Sequence, residues 1–332
     1  MSKTNKALVG LLVLQLILAA LLLWPRPVAT GPASAPLLGG IKADDIVALT
    51  VYDAQANSIK LARQGAIWTL PEAGDYPADA GKITPVLAKL AELKQDRLVT
   101  KTAASQKRLQ VADDAFQRKV EIQTSGGANR TLFVGSPGGG RASHVRTGGQ
   151  NEVYLASDLM PYEIGPDASS WIAPAYYNLP LADVTSLTLA NANGQQSFTK
   201  DAQGKWSMAG LAAGETFDAD GFSALLGQAI SMQMTRPLGK SDQAAWGLAQ
   251  PAAMLTLKTR AGDQEKNYTL AVGANDAKDN SYVAKWSDSP YYVRVAEYAV
   301  KDLVEKPRSG FVKPPAAPAP TAPLPQPPTP GA

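Results

Sequence analysis

Displaced by 138 residues, the second half of the chain falls on the first. Ile46, Leu49 and Val51 land on Val184, Leu187 and Leu189, apolar positions of a strand in each half. Asp45 lands on Asp183 just before that strand, and Trp68 lands on Trp206. Leu132 to Gly135 (LFVG) meets Leu270 to Gly273 (LAVG), HVR meets YVA with His144 against Tyr282, and VYL from Val153 meets YYV from Tyr291. Two stretches keep the order at a changed shift. VEIQT meets LTLKT at 135, placing three extra residues in the turn around GDQEKN. Ile83, Val86, Leu87 and Leu90 meet Phe222, Leu225, Leu226 and Ala229 at 139, an i, i+3, i+4, i+7 spacing that sets each group on one helical face. Matches in one order with small changes of shift mark a tandem duplication of a unit of roughly 135 residues.

Each unit reads as two or three strands, one amphipathic helix, then four strands joined by Gly- and Asn-containing turns. The predicted fold class is therefore α+β: two tandem repeats, each an antiparallel sheet with one amphipathic helix. Asp79 and Asp218 stand where helix N-caps belong. Pro85 interrupts the first helix pattern and fits best in a first turn following a Thr84 cap. The tryptophans sit in GAIWTL and GKWSM, which share little besides the ring. A large ring kept while its neighbours vary is what sheet-on-helix packing produces, so Trp68 and Trp206 are read as scaffold; the alternative is a pair of ligand-stacking rings.

The first 27 residues set the compartment. Lys3 and Lys6 precede an uncharged run from Ala7 to Trp24, broken only by the polar Gln15 and stopped by Pro25 and Pro27. Eighteen helical residues span about 27 Å, close to the ~30 Å hydrocarbon core. The run exceeds a usual signal-peptide core, and the small-x-small candidate Ala33-Ser34-Ala35 is distant and followed by Pro36, so a retained anchor is expected rather than a cleaved signal. The two lysines, against Arg26 beyond the run, place the N-terminus in the cytoplasm. A single-pass protein of the inner membrane follows, with most of the chain periplasmic and residues 7–24 in contact with the lipid bilayer. The expected map is a cytoplasmic start (1–6), the anchor (7–24), a flexible Pro/Gly/Ala stalk (25–42), repeat one (43–165), a junction (166–180), repeat two (181–306) and a Pro-rich, disordered tail (307–332).

Composition limits the chemistry. The chain carries net charge +3 with both signs scattered, so no basic face offers itself to nucleic acid. With no cysteine and one histidine, disulfides, thiol nucleophiles and cysteine-bound zinc are excluded, and no metal or cofactor site is expected. His144 lies in VGSPGGGRASHVR, a Gly-rich loop that invites a phosphate-binding reading. It lacks a Gly-Lys-Ser/Thr ending and a following helix, and the equivalent loop VGANDAKDNSYVA keeps only the glycine, so Gly135 and Gly273 are read as turn residues of a variable hairpin. Asp45 and Asp183 are read as Asx-type turns. No Gly-x-Ser-x-Gly elbow is present, and no catalytic residue is assigned, although a carboxylate pair close only in space would escape a sequence reading. Trp171, Tyr176 and Tyr177, in SSWIAPAYYNLPLADVTSLTL between the units, are the candidate partner-binding residues, with inter-domain packing as the plainer role.

The aligned pattern resembles the bacterial domain-of-unknown-function family numbered 4340. Carrying the likeness are a membrane-anchored start, W-x-L after two strands, the helix AGKITPVLAKLAEL, WGLAQPAAMLTLKT, LAVG, YYV and the junction segment. It would cover nearly all of residues 43–305, with the Pro-rich tail as a departure from simpler members. The resemblance implies single-pass proteins encoded beside ABC transporters of the gliding-motility type. It therefore implies an accessory role with an ABC transporter permease and auxiliary subunits as partners, and it brings no catalytic residues. The expected function is a non-enzymatic, membrane-tethered extracytoplasmic accessory or scaffold. A glycan- or peptidoglycan-binding module is the alternative, and a hydrolase with a non-sequential carboxylate pair a weaker third.

Overall fold

The computed structural model describes residues 34–313. The apolar run Ala7–Trp24, the first part of the stalk and the segment from Pro314 onward lie outside the described residues. Among the described residues no helix is long and apolar enough to cross a membrane.

Strands β1 (Ile46–Asp53), β2 (Ser58–Gln64), β3 (Ile67–Leu70) and the two-residue β4 (Tyr76–Pro77) precede helix α1 (Ala80–Glu92). Then come β5 (Leu98–Thr100), the short α2 (Ala103–Arg108), the small hairpin β6 (Val111–Ala112) and β7 (Ala115–Phe116), and β8 (Arg118–Thr124), β9 (Asn129–Gly139), β10 (Ala142–Thr147) and β11 (Val153–Ser157). These build a nine-stranded antiparallel sheet in the order β4-β3-β2-β1-β8-β9-β10-β11-β5.

After β12 (Ala175–Asn178) the second half supplies β13 (Val184–Asn191), β14 (Gly194–Lys200), β15 (Trp206–Met208), β16 (Thr216–Phe217), α3 (Ala219–Ile230), β17 (Ser231–Gln233), β18 (Arg236–Gly239) and β19 (Ala253–Ala261). It continues through β20 (Gln264–Asp276), β21 (Ser281–Trp286), β22 (Tyr292–Ala296), α4 (Glu297–Glu305) and β23 (Val312–Lys313). Its antiparallel sheet runs β15-β14-β13-β19-β20-β21-β22-β18. From β3 to β5 the first sheet has the same order, strand for strand; only β4 has no counterpart in the second. The molecule is thus mixed α+β and rich in strands.

Pairing registers follow the sequence shifts closely. Val120 opposes Val51 as Leu255 opposes Leu189, and Trp68 opposes Arg63 as Trp206 opposes Lys200, which sets β2 on β14 at a shift of 137. The odd step from Ile46 to Leu49 is absorbed by a bulge against β8, and the second unit repeats it between Val184 and Ser186. The three extra residues of the second unit lengthen the β19–β20 hairpin, which pairs as far as Ala261 with Gln264, rather than enlarging its turn.

Two registers depart from expectation. Tyr154 opposes Val145 as Val293 opposes Ala284, so β11 matches β22 at a shift of 139 and Val153 corresponds to Tyr292 rather than Tyr291. β10 slips with it. Val145 opposes Val134, whereas Val272 opposes Ala284, so β10 matches β21 at a shift of 139. His144 then corresponds to Val283, and Ser143 to Tyr282. A one-residue slip exchanges the faces of a strand, and the core agrees: Val145, Tyr282 and Ala284 belong to the main apolar cluster, while Val283 does not. Both units carry the same bulge, Val134 to Pro137 and Val272 to Asn275. The additional residue of the second unit therefore lies beyond it, in the hairpin tip between Asn275 and Tyr282, where sequence similarity is weakest.

The helix faces are as expected, with Ile83, Val86, Leu87 and Leu90 buried on α1 and Phe222, Leu225, Leu226 and Ala229 on α3. Asp79 caps α1, its side chain accepting the Gly81 amide at 2.8 Å; Asp218 makes no such bond. Because that cap starts the helix at Ala80, Pro85 lies inside α1 rather than in a first turn after Thr84. Its ring is on the exposed side, so the carbonyl left without an amide partner is not buried with the core. The units also hold more than one helix each. α4 buries Val300 and Leu303, where the first unit has the 3₁₀ turn Pro161–Glu163.

The folded part extends past both expected boundaries. Leu37 and Leu38 are buried, and the Leu37 amide donates to Leu93 at 2.7 Å, so the end of the expected stalk packs on the first unit. Phe311 is fully buried in the second unit, 5.1 Å from the Phe198 ring. Single apolar residues anchor both segments, and average composition conceals them. Trp171 and Phe311 are counterparts: the Asp79 amide donates to the Trp171 carbonyl at 2.7 Å, and the Asp218 amide to that of Phe311 at 2.9 Å. Trp171 therefore closes the first unit rather than bridging to the second.

One apolar cluster runs through both units, from Leu38 and Leu49 to Leu187, Val295 and Phe311. A smaller cluster of Leu109, Val111, Phe133 and Val153 lies beneath the segment that crosses the opposite face of the first sheet. That crossing explains the shared glycines. A Cβ on Gly135 would strike the Leu109 carbonyl oxygen, and one on Gly273 the carbonyl oxygen of Trp246. The sequence reading of both as turn residues is therefore corrected: each lies within a strand and lets a second backbone pass.

Candidate functional site

The junction segment carries its aromatic residues into the second unit. β12 pairs with β17, which directs Tyr177 inward. Its ring stacks on Trp286 at 3.9 Å, and its hydroxyl donates to the Ala229 carbonyl at the end of α3, 2.9 Å away. Tyr176 is half-buried; its hydroxyl donates to the Tyr291 carbonyl at 2.6 Å and accepts the Trp286 amide at 2.9 Å. Trp171 has no exposed surface, and its indole N–H donates to the Gly165 carbonyl at 2.9 Å. Burial raises the phenols of Tyr176 and Tyr177 above the ordinary tyrosine range, so both remain neutral hydrogen-bonding groups. All three predicted residues are engaged within the molecule, and the structure groups Tyr176 with Tyr177 but not with Trp171.

Around the two tyrosines lies an open cleft of about 480 Å³ between the units. The first unit contributes Tyr76 and Pro77, the junction Tyr176 to Leu179, and the second unit Tyr268, Trp286 and Asp288 to Tyr291. Tyr177, Trp286 and Tyr268 form a ladder of nearly parallel rings, Trp286 and Tyr268 lying 5.0 Å apart. Tyr76 and Tyr291 meet edge-on across the unit boundary at 4.7 Å. The Tyr291 hydroxyl donates to the Asp75 carbonyl at 3.0 Å. Beside them Gly74, at φ 67°, brings its backbone against Gly239, where an added Cβ would stand 3.1 Å from the Gly239 Cα. Polar groups sit at the mouth: Asn178 and Asp288 are exposed, and Asp288 pairs with Lys266 at 3.0 Å. Chemically, the cleft offers ring faces with a polar edge and is suited to binding.

Arg146 and Lys285 form a second repeated feature that sequence reading missed. Arg146 is buried over the Phe133 ring and donates to the carbonyls of Val111 (2.6 Å) and Gln150 (3.0 Å). Lys285 lies over Tyr292 and donates to the carbonyls of Trp286 and Ser289, and burial lowers its pKa. The signal was present only at a shift of 139, which aligns these two cations.

His144 takes part in no recognisable catalytic group. Its Nδ1 lies 2.8 Å from the Ser136 carbonyl oxygen and 3.2 Å from the Ser136 hydroxyl. A carbonyl only accepts, so Nδ1 carries the proton and donates, while the Ser136 hydroxyl donates to Leu109 at 3.2 Å. This ties a hairpin together and leaves Nδ1 unable to take a proton from Ser136. Asp45 closes the 3₁₀ turn Ala43–Asp45 by accepting the Lys42 amide at 3.3 Å; its counterpart turn is Leu181–Asp183. Both aspartates thus end 3₁₀ turns rather than starting Asx turns. Among the described residues no group of three or more His, Asp or Glu is placed to hold a metal ion.

A family model described as Domain of unknown function (DUF4340) matches residues 68–251, more than half of the chain. No curated protein and no solved structure matches it. The matched span runs from the Trp68 strand through α1, the first sheet and the junction aromatics to the segment that crosses the second sheet, and on that ground the chain belongs to the DUF4340 family.

Proposed function

We propose that this protein is a non-enzymatic, membrane-tethered extracytoplasmic accessory or scaffold, built by tandem duplication and serving an ABC-transporter-type envelope complex. The run Ala7–Trp24 supports the tether, and the matching strand order of the two sheets supports the duplication. The observation that carries the scaffold reading is the cleft itself. Its walls come from both units and are fixed by one continuous core, so it is a preformed surface for a partner. Because Tyr177 and Trp286 are buried, the partner meets the exposed edges around Asn178, Tyr268 and Asp288.

Native chain, captured from detergent-solubilised membranes, is expected to bring down a transporter permease. The double variant Asn178→Arg, Asp288→Arg, which blocks the cleft mouth without touching the core, is expected to lose it at an unchanged melting temperature. Capture that survives the block assigns the partner to another surface. Absence of any permease contradicts the accessory role. The ring ladder with carboxylate and amide groups at its rim also favours a second reading, a saccharide-binding module, which predicts binding of peptidoglycan fragments abolished by Tyr268→Ala.

A further inference from the structure

The two sheets differ at one edge. In the first unit β4 pairs with β3, Thr69 opposing Pro77, and the Ala78 amide donates to the Trp68 carbonyl at 2.8 Å. Trp68 is thereby covered and only 8% exposed. In the second unit β16 precedes α3 as β4 precedes α1, yet it pairs with β23 and, among the described residues, leaves β15 as the sheet edge. Trp206 is correspondingly half-buried. Between β15 and β16 an apolar slot of about 450 Å³ stands open, lined by Trp206, Phe217 and Phe222, with Ser207 and Thr216 among its remaining lining residues.

The chain itself points to an occupant. β23 ends at Lys313 directly opposite Thr216, so Pro314 starts next to a residue of this slot. Residues 314–330 contain nine prolines and no charged side chain. In the polyproline II form, at 3.1 Å per residue, they would reach about 50 Å, far more than the width of the slot demands. Proline rings dock on tryptophan and phenylalanine faces, and a chain already extended loses little entropy on docking. The first unit shows that proline is compatible with this place, since Pro77 occupies it against Thr69.

We propose that the segment beginning at Pro314 folds back into the slot beside Trp206 and stands in for the strand that covers Trp68 in the first unit. It would also shield the β15 edge, whose unpaired backbone otherwise offers itself to strand pairing.

The chain has no cysteine, so introduced pairs report cleanly. In the full chain in detergent, Ser207→Cys is combined with Ala316→Cys, Ala319→Cys or Ala322→Cys, with Lys60→Cys on the first sheet as the control partner. At least one tail position is expected to form an intrachain disulfide with the residue 207 cysteine at least tenfold faster than with the residue 60 cysteine. Trp206→Leu should slow that reaction about tenfold, with melting measured in parallel. Independently of any core substitution, truncation after Lys313 should raise maleimide labelling of Ser207→Cys at least fivefold. Equal disulfide rates at the two sites, unchanged labelling after truncation, or disulfides formed only between two chains would overturn the proposal.

Discussion

Trp68 and Trp206 occupy one position in two copies, yet their surroundings grade them. Trp68 lies beneath β4 in the core, whereas Trp206 meets Phe222 at 4.8 Å and keeps part of its ring in the open slot. Trp68→Ala removes a buried ring and is expected to cost about 3–5 kcal/mol. Trp206→Ala should cost about half that or less, because less area leaves contact. Urea unfolding of both variants checks the ranking, and equal losses would show that Trp206 is covered as fully as Trp68. The repeat predicted that both rings serve packing. It did not reveal the difference, which depends on where β4 and β16 find partners.

At the level of elements, the second unit is closed by a half-buried ion pair. Arg308, in the 3₁₀ turn Arg308–Phe311, donates to Glu215 at 2.8 Å, joining the loop before β16 to the turn that carries Phe311. The Arg308 hydrogen bond, aided by the Ala212 amide, holds the Glu215 carboxyl down to about 2. A depressed carboxylate contributes stability that is complete above its unfolded value, about 4.3, and that fades as pH falls toward 2. Hydrogen-exchange protection of the Phe311 segment, taken relative to the intrinsic rate at each pH, should therefore fall between pH 4.5 and 2 in the parent. In Arg308→Gln it should be lower already at neutral pH, with a smaller change on acidification, and added salt should narrow the gap. An identical pH response in the two proteins would remove this role.

Sequence periodicity located α1, α3 and the principal strands because their buried faces recur every two or 3.6 residues. It failed where the determinant is not periodic. Gly135 and Gly273 looked like turn residues because the backbone passing over them comes from more than 20 positions upstream. A shift of 138 sets His144 on Tyr282 because one extra residue in a dissimilar hairpin tip leaves no periodic trace. Tyr176 and Tyr177 were found by their place between the units, but their cleft partners Tyr76, Tyr268 and Trp286 lie far away in sequence and converge only in the fold.

For the whole molecule, the central claim is that two copies of one topology share a core and hold a preformed cleft between them. Tyr76 against Tyr291, Gly74 against Gly239 and the apolar cluster running through both units are the physical basis. Such coupling should make the units melt together. Scanning calorimetry of the full chain in detergent tests this most directly, with Trp68→Ala as a perturbation confined to the first unit. The account predicts one transition, with calorimetric and van't Hoff enthalpies equal, moving as a whole to lower temperature in the variant. Two separable transitions, with Trp68→Ala shifting only one of them, would contradict it.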